Sequence, residues 1–390
     1  MTPGARVQTA IELLDAVLTA AKNNGAAADT VIAQEFRARR YAGSKDKRAI
    51  RDLVYRAIRS FGEMPASGRA AMLGLGDPEI LSLFGAGGYG PSACLPDEPI
   101  AVPSQMAGWM AEELVPFVVG DEVAALMGRA PLDLRVNQLK ATRDDVLAQI
   151  GGEPIEGLPH AIRFSEGFDA AGSALFVDGL FEVQDAASQL VSAVCAAMPG
   201  TLVVDLCAGA GGKTLALAAD MAGEGRLIAC DTDRTRLGRL PARAARAGAL
   251  AESRLLNPGR EAEALSDLAG AADTVLVDAP CSGSGTWRRN PELRWRLTPD
   301  RLARVAALQA HVLEVAAPLV KPGGILVYAV CSLFAREGEG QVDAFLDKHA
   351  GWDVDTPELP LGRKSGKGTV FTPFHDGTDG FFVARLKRKC

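Results

Sequence analysis

The sequence is poor in the features that staple a chain or anchor it in a membrane. Its 390 residues hold seven cysteines, an odd number with no Cys-x-x-Cys pair, which excludes a disulfide framework and a zinc ribbon. The four histidines, His160, His311, His349 and His375, are scattered and never stand at metal-ligand spacing, so no metal is expected. No uninterrupted apolar run reaches the ~18 residues of a bilayer span, and no membrane association is expected. Met1–Ala10 carries Arg6 and leads into Glu12 and Asp15 rather than an apolar stretch, so no secretory signal is expected there. Free thiols and no signal make the cytoplasm the expected compartment. Disorder is excluded by 48% hydrophobic and 23% charged residues. At roughly 150 residues per domain the length predicts two or three domains, and a monomer is expected.

What is present is an uneven distribution of charge. The net charge of −6 argues against nucleic acid, yet basic residues cluster. Arg37, Arg39, Arg40, Lys45, Lys47, Arg48, Arg51, Arg56 and Arg59 face only Asp46 and Asp52. A second run, Arg288 to Arg304, holds six arginines against Glu292 and Asp300. Either run read alone is as easily a solvated helix face; together, and rich in arginine, they suit phosphate contacts and base stacking.

The chain divides into four stretches by pattern. Residues 1–61 read as helices, with Ala10, Leu13, Leu14, Val17 and Leu18 at helical spacing, as are Leu53, Val54, Ala57 and Ile58. Within 62–130, the stretch 62–103 is one-third Gly and Pro and reads as a linker, with helical patterning over 104–130. Residues 131–180 read as a small α/β unit, with strands at 132–139 and 161–164 and a helix at 143–150. From 181 to 390, strands at 201–207, 226–231, 274–278, 325–330 and 381–386 alternate with helices at 214–221, 234–247 and 301–320. Such alternation predicts a doubly wound parallel sheet with its ligand at the strand carboxyl ends.

One turn there is built for a ligand. Asp205-Leu206-Cys207-Ala208-Gly209-Ala210-Gly211-Gly212-Lys213-Thr214 runs from a buried strand into a helix, and its glycines let backbone approach a bound group. A P-loop needs glycine where Cys207 stands, and a dinucleotide fingerprint needs glycine where Thr214 stands. Asp231 ends the next strand, where a carboxylate takes ribose hydroxyls. A nucleoside ligand held without a pyrophosphate grip points to S-adenosylmethionine.

Two cysteines lie at the same edge. Asp278-Ala279-Pro280-Cys281 follows one buried strand and Tyr328-Ala329-Val330-Cys331-Ser332 the next. A single free cysteine is more often a small buried hydrophobe, but two at the cofactor edge, one beside a carboxylate, suit covalent catalysis. Carbon 5 of a pyrimidine is a poor nucleophile; a thiolate added to carbon 6 makes it an enamine able to attack a sulfonium methyl. That thiolate requires an electropositive site.

These motifs together resemble the RsmB/NOP2/Sun-domain RNA (cytosine-5) methyltransferases, in particular the bacterial RsmB-like branch. The family's Asp-x-Cys-Ala-Ala-Pro-Gly-Gly-Lys-Thr loop is matched over Asp205–Thr214, with Gly209 and Ala210 as departures. Its Asp-Ala-Pro-Cys motif is matched by Asp278–Cys281, and its Thr-Cys-Ser motif by Cys331-Ser332, with Val330 in place of Thr. Leu134-Arg135-Val136-Asn137, Val183-Gln184-Asp185 and Gly377–Phe382 resemble flanking motifs, and residues 37–59 resemble a NusB-like helical domain. The resemblance implies a Rossmann-like class I methyltransferase sheet preceded by an all-helical NusB-like RNA-binding domain, with S-adenosylmethionine as cofactor and RNA as partner. It implies Cys331 as nucleophile and Cys281 as the cysteine that helps release the product. Proline–cysteine is the nucleophile motif of DNA cytosine-5 methyltransferases, so exchanged roles stay open. Asp278 and Lys213 are implied beside the base and the methionine end of the cofactor. The implied cofactor-binding set is Cys207, Ala208, Gly209, Ala210, Gly211, Gly212, Lys213, Asp231, Asn257 and Asp278, Asn257 standing where the family has an aspartate.

Small-subunit ribosomal RNA is the expected substrate, with transfer RNA as the alternative. A nicotinamide-dependent oxidoreductase would explain the glycine loop and Asp231 but leaves the cysteine pair unused. A non-catalytic RNA-binding assembly factor is the third reading. Trp287, Arg288, Arg289 and Trp295 interleave aromatics with arginines, which suits base stacking or core anchoring equally. The Lys387-Arg388-Lys389 tail reads as a solvated terminus.

Overall fold

The computed structural model describes residues 1–165 and 167–390. The chain forms two compact units, one from Met1–Leu114, Val119–Arg129 and Thr286–Pro299, the other from Val115–Val118, Ala130–Gly285 and Asp300–Cys390.

The first unit is helical. Helix α1 (Pro3–Lys22) starts at Thr2, whose hydroxyl accepts the Ala5 N–H, with Pro3 just inside. Helices α2 (Ala28–Ala38), α3 (Ser44–Ser60) and α4 (Gly68–Gly74) follow. Leu13, Leu14, Val17, Ile32, Ile50, Val54 and Ile58 pack together in its core. Residues 62–103 do not behave as a linker. Ala71, Met72 and Ile80 join the same core, and Ser67 caps α4 through the Ala70 N–H. Glycine and proline there shape tight turns between short helices rather than a free connection.

The second basic run is also used inside this unit. Trp295 donates its indole N–H to the Phe61 carbonyl at 2.8 Å. Arg294, buried, donates to the Ile58 carbonyl at 2.7 Å. Arg296 donates to the carbonyls of Gly25 and Ala26, and Glu292 accepts the Ala28 N–H at the start of α2. Trp287 is fully buried. For Trp287, Trp295 and Arg294, core anchoring is therefore what the structure shows. The first run differs: Arg37, Arg40, Lys45, Arg48, Arg51 and Arg56 are exposed, and only Arg56 among these six is in a described ion pair, with Asp77.

The second unit holds two sheets. The smaller comprises β1 (Leu132–Val136), β2 (Glu153–Pro154), β3 (Ala161–Phe164) and β4 (Phe181–Val183) in the antiparallel order β2-β3-β1-β4. It reaches past residue 180, because β4 pairs with β1 through Leu134 and Val183. The larger comprises β5 (Leu202–Asp205), β6 (Arg226–Asp231), β7 (Glu252–Leu255), β8 (Ala272–Asp278), β9 (Val320–Val330), β10 (Trp352–Asp355), β11 (Arg363–Ser365), β12 (Gly368–Phe371) and β13 (Phe381–Arg388). Its order is β11-β12-β13-β9-β8-β5-β6-β7, with β10 on β13. The sheet is mixed rather than purely parallel: β9-β8-β5-β6-β7 is parallel and β13, β12, β11 and β10 pair antiparallel. Val203, Val204, Ile228, Val275, Leu276, Val277 and Leu326–Val330 are all buried, as expected of strands covered on both faces.

Several elements depart from the sequence expectation, among them strands β10, β11 and β12, which it did not include. The helix expected over 234–247 is two helices, Arg234–Leu237 and Leu240–Ala247, because Pro241 in the first turn of the second lacks the N–H and crowds the preceding turn. Strand β7 is absent from the expectation because it is an edge strand with Glu252 and Ser253 exposed. One helical stretch, Pro299–Leu319, reaches a mean hydropathy of 1.2, enough by length and composition to pass as a span. It carries Arg304, His311 and Glu314 and packs Leu302, Gln309, Leu313 and Ala316 inward, as an amphipathic core helix does.

Candidate active site

Parallel pairing brings the chemistry-bearing residues to one edge. Asp205 pairs with Leu276 and Ala229, and Asp278 pairs with Ala329, so the carboxyl ends of β5, β6, β8 and β9 lie side by side. The turn after β5, the Asp231 terminus, the loop after Asp278 and Cys331 all open from that edge.

The glycine turn needs its glycines. Gly209 has φ +54 and a Cβ there would lie 2.6 Å from the Arg236 guanidinium. Gly211, at φ +86, precedes the helix Gly212–Asp220, and a Cβ there would lie 2.3 Å from Leu240. Asp231 holds this turn: one carboxylate oxygen accepts the Gly209 N–H and the other the Asp233 N–H, both at 2.7 Å. Each oxygen has a second lone pair for a ribose hydroxyl. The Ala208 N–H reaches the Cys230 carbonyl, and Arg243 donates to the Ala210 carbonyl. Cys207 is half-buried at the turn; desolvation, then Asp205 and Asp231, push its thiol well above the ordinary range. Asn257 is exposed two residues beyond β7 at the same edge.

At the other side of β5, Lys213 donates to Asp278 at 2.7 Å. Its ammonium also lies 5.1 Å from the centre of the Phe381 ring. Burial alone would lower the Lys213 pKa, but Asp278, with Cys331 and Asp205 contributing, leaves it raised. A fixed positive charge therefore stands beside Cys331. The sulfurs of Cys281 and Cys331 are 3.2 Å apart. Hydrogen bonding to Cys331, then burial, push the Cys281 thiol well above its ordinary range. The structure thus places Cys331, Cys281, Lys213 and Asp278 together, with the glycine turn and Asp231 along the same edge.

A family model described as 16S rRNA methyltransferase RsmB/F matches residues 193–387, half of the chain. The chain belongs to the RsmB/F methyltransferase family. A Synechocystis protein named probable ribosomal RNA small subunit methyltransferase B is 38% identical over 274 residues, covering 66% of this chain and 60% of the relative. The Salmonella arizonae ribosomal RNA small subunit methyltransferase B is 34% identical, covering 72% and 66%. The chain thus spans about three-fifths of the first of these relatives and about two-thirds of the second. Among solved structures, PH0851 superposes over the whole of both chains at TM-score 0.77 and 25% identity. A methyltransferase homolog protein from Pyrococcus horikoshii superposes at TM-score 0.63 and 26% identity, covering 72% of this chain and 95% of the other.

Residues of the other motifs singled out in the sequence make structural contacts. Asn137 donates to the carbonyls of Gly179 and Ala247, tying the small sheet to the helix Leu240–Ala247. Arg135 is buried against Gln184 and pushed down to about 10 by desolvation. Asp185 accepts the Ala187 N–H as a helix cap and also the Asp379 N–H. No group of three or more residues able to hold a metal occurs among the described residues.

Sequence reasoning missed several residues here. Asp205 is fully buried, accepts the Thr214 hydroxyl at 2.7 Å, and is pushed up to about 7 by burial. Glu337, Gln309, Ser282, Ser284 and Ser332 form a buried network directly behind the cysteines. The one sequence signal for it is the repeated Cys-Ser dipeptide, at 281–282 and 331–332.

Proposed function

We propose that this protein methylates carbon 5 of a cytidine in small-subunit ribosomal RNA, using S-adenosylmethionine and a transient Cys331–cytosine adduct. The observation that carries this is the contact of two free cysteines beside a lysine–aspartate pair, on the edge of the sheet that bears the glycine turn. The cofactor fits: a Cβ at Gly212, at the start of the helix, would meet nothing within 4 Å, which leaves the backbone there open to a close approach, and Asp231 offers free lone pairs to a ribose. Residues 207–213, Asp231, Asn257 and Asp278 would hold it. When bound, it supplies an electrophilic methyl group.

The chain's own residues carry the remaining steps. Lys213 favours negative charge at Cys331, whose thiolate adds to carbon 6 of the cytosine and drives electrons to carbon 5. Asp278 and Lys213 orient the base during this addition. After carbon 5 is methylated, its proton passes to a base, the electrons it leaves re-form the ring double bond, and the carbon 6–sulfur bond breaks to release Cys331 as the thiolate. Cys281, in contact with Cys331, acts in its thiolate form as that base. The exposed arginines and Lys45 in and around α2 and α3 supply phosphate contacts. The protein acts as a monomer in the cytoplasm.

The test uses tritiated S-adenosylmethionine and small-subunit RNA. Wild type incorporates methyl; Cys331→Ala loses both methylation and the denaturant-resistant RNA adduct; Cys281→Ala accumulates adduct. Adduct retained in Cys331→Ala and lost in Cys281→Ala would reverse the roles. Cofactor-independent RNA binding with no methylation of small-subunit or transfer RNA would favour an assembly factor.

A further inference from the structure

Each of the two cysteines is followed by a serine, and both serines converge on one buried carboxylate. Ser332 donates to Glu337 Oε2 at 2.5 Å, and the Ser282 hydroxyl donates to the same oxygen. The other oxygen, Oε1, accepts the Ser282 N–H at 2.8 Å and the Gln309 side-chain amide at 2.9 Å. That same Gln309 amide nitrogen also donates to the Pro280 carbonyl at 2.9 Å. The residues before and after Cys281, and the residue after Cys331, are therefore all held from one point. Ser284 extends the network: its hydroxyl lies 2.9 Å from that of Ser332 and accepts the Leu333 N–H. Tyr328 donates to the Glu337 carbonyl at 2.6 Å and fixes the backbone there.

Glu337 and Gln309 are fully buried. A buried carboxylate is costly unless its lone pairs are filled. Glu337 fills them with four donors and has no Lys or Arg partner among the described residues. An apolar residue would fill this space, but it would not fix the rotation of either loop. Hydrogen bonds to a peptide N–H and two hydroxyls do so, because each is directional.

We propose that Glu337 is a positioning residue that clamps the loop behind each cysteine and so holds the two sulfurs at contact distance. Its consequence for turnover rests on the reading of Cys331 and Cys281 as the reacting pair. Adduct formation and release both depend on that separation, whereas cofactor binding, at the glycine turn, does not.

The first measurement needs no RNA. An azodicarboxamide oxidant converts the two thiols to a disulfide, taking up both protons and both electrons as it is reduced to the hydrazine. Closure of the 281–331 bond is followed by peptide mapping in wild type, Glu337→Gln, Glu337→Ala, Ser332→Ala and the control Glu339→Gln, whose carboxylate bonds Ser365 instead. Wild type and control close fastest. Glu337→Ala closes about tenfold or more slowly, in line with the sensitivity of reacting groups to small misplacements. Glu337→Gln closes at an intermediate rate, since its amide oxygen still accepts the Ser282 and Gln309 N–H groups.

The second measurement is methylation, where kcat falls about 100-fold in Glu337→Ala while KM stays within about threefold. The cofactor-induced melting shift is unchanged. Disulfide closure at the wild-type rate in Glu337→Ala overturns the proposal whatever the methylation result. If Glu337→Ala does not fold, wild-type closure in both Glu337→Gln and Ser332→Ala overturns it. Slow closure in the variants of a protein that methylates no RNA upholds the clamp and removes the methyltransferase reading.

Discussion

Replacing Asp205 with asparagine should stabilise the protein at alkaline pH relative to acid. Asp205 is fully buried, with Oδ2 accepting the Thr214 hydroxyl and Oδ1 lacking a hydrogen-bond partner among the described residues. Burial dominates, raising its pKa from 3.8 to about 7, opposed by the Thr214 bond and reinforced by the charge of Asp278. A carboxyl raised in the folded state binds its proton more tightly there than in the unfolded chain. The contribution of Asp205 to stability is thus greatest below pH 3.8, declines through the interval, and is fully lost once pH passes about 7. At about 1.4 kcal/mol per tenfold change in proton affinity, the loss is roughly 4 kcal/mol. Asparagine cannot titrate, so any cost of its buried amide is the same at every pH and cancels when two pH values are compared. Urea unfolding of wild type and Asp205→Asn at pH 4 and pH 8 gives that double difference directly. Asparagine should gain roughly 4 kcal/mol on wild type between the two. A gain under about 1 kcal/mol would refute the reasoning, and would mean that water or a rearranged partner reaches Oδ1.

Other perturbations separate scaffold from chemistry. Lys213→Met should leave Asp278 without its cation, costing about 2–3 kcal/mol in unfolding free energy and about 100-fold or more in methyl transfer. Gly211→Ala should lower the melting temperature by the equivalent of about 1–3 kcal/mol and abolish the cofactor-induced melting shift, through its positive φ and the Leu240 contact. Trp295→Phe should cost the helical unit about 1–2 kcal/mol by orphaning the Phe61 carbonyl, with RNA affinity measured by filter binding unchanged. Arg48→Ala and Arg51→Ala should do the opposite, each reducing the salt slope of RNA binding by about 1 with no change in melting.

Much of the parallel half of the sheet was legible because buried strands write themselves as short apolar runs ended by Asp, Gly or Cys. Strand β6, the helix Arg143–Ile150 and strand β3 match their expected bounds, and β5, β8, β9 and β13 differ only at their ends. The edge position of the glycine turn, Asp231, Asp278 and the two cysteines was also legible, because each stands at or just past a strand terminus and parallel strands share an edge; Lys213 follows at the start of the next helix. Composition misled over 62–103, where glycine and proline signal backbone shape and say nothing of burial. Charge misled over 288–304. Arg294 donates to the Ile58 carbonyl and Arg296 to those of Gly25 and Ala26, all more than 230 positions away, and no local pattern records a partner that distant.

The sequence alone determined which residue types arrive at the carboxyl edge, since strand period and strand–helix alternation are local properties. Tertiary structure alone decided how those residues meet. The 3.2 Å contact of Cys281 with Cys331, the burial of Asp205 and the convergence of Ser282 and Ser332 on Glu337 join segments about 50 residues apart. Their distances and protonation follow from packing in three dimensions, which sets dielectric and hydrogen-bond partners that a linear chain leaves open.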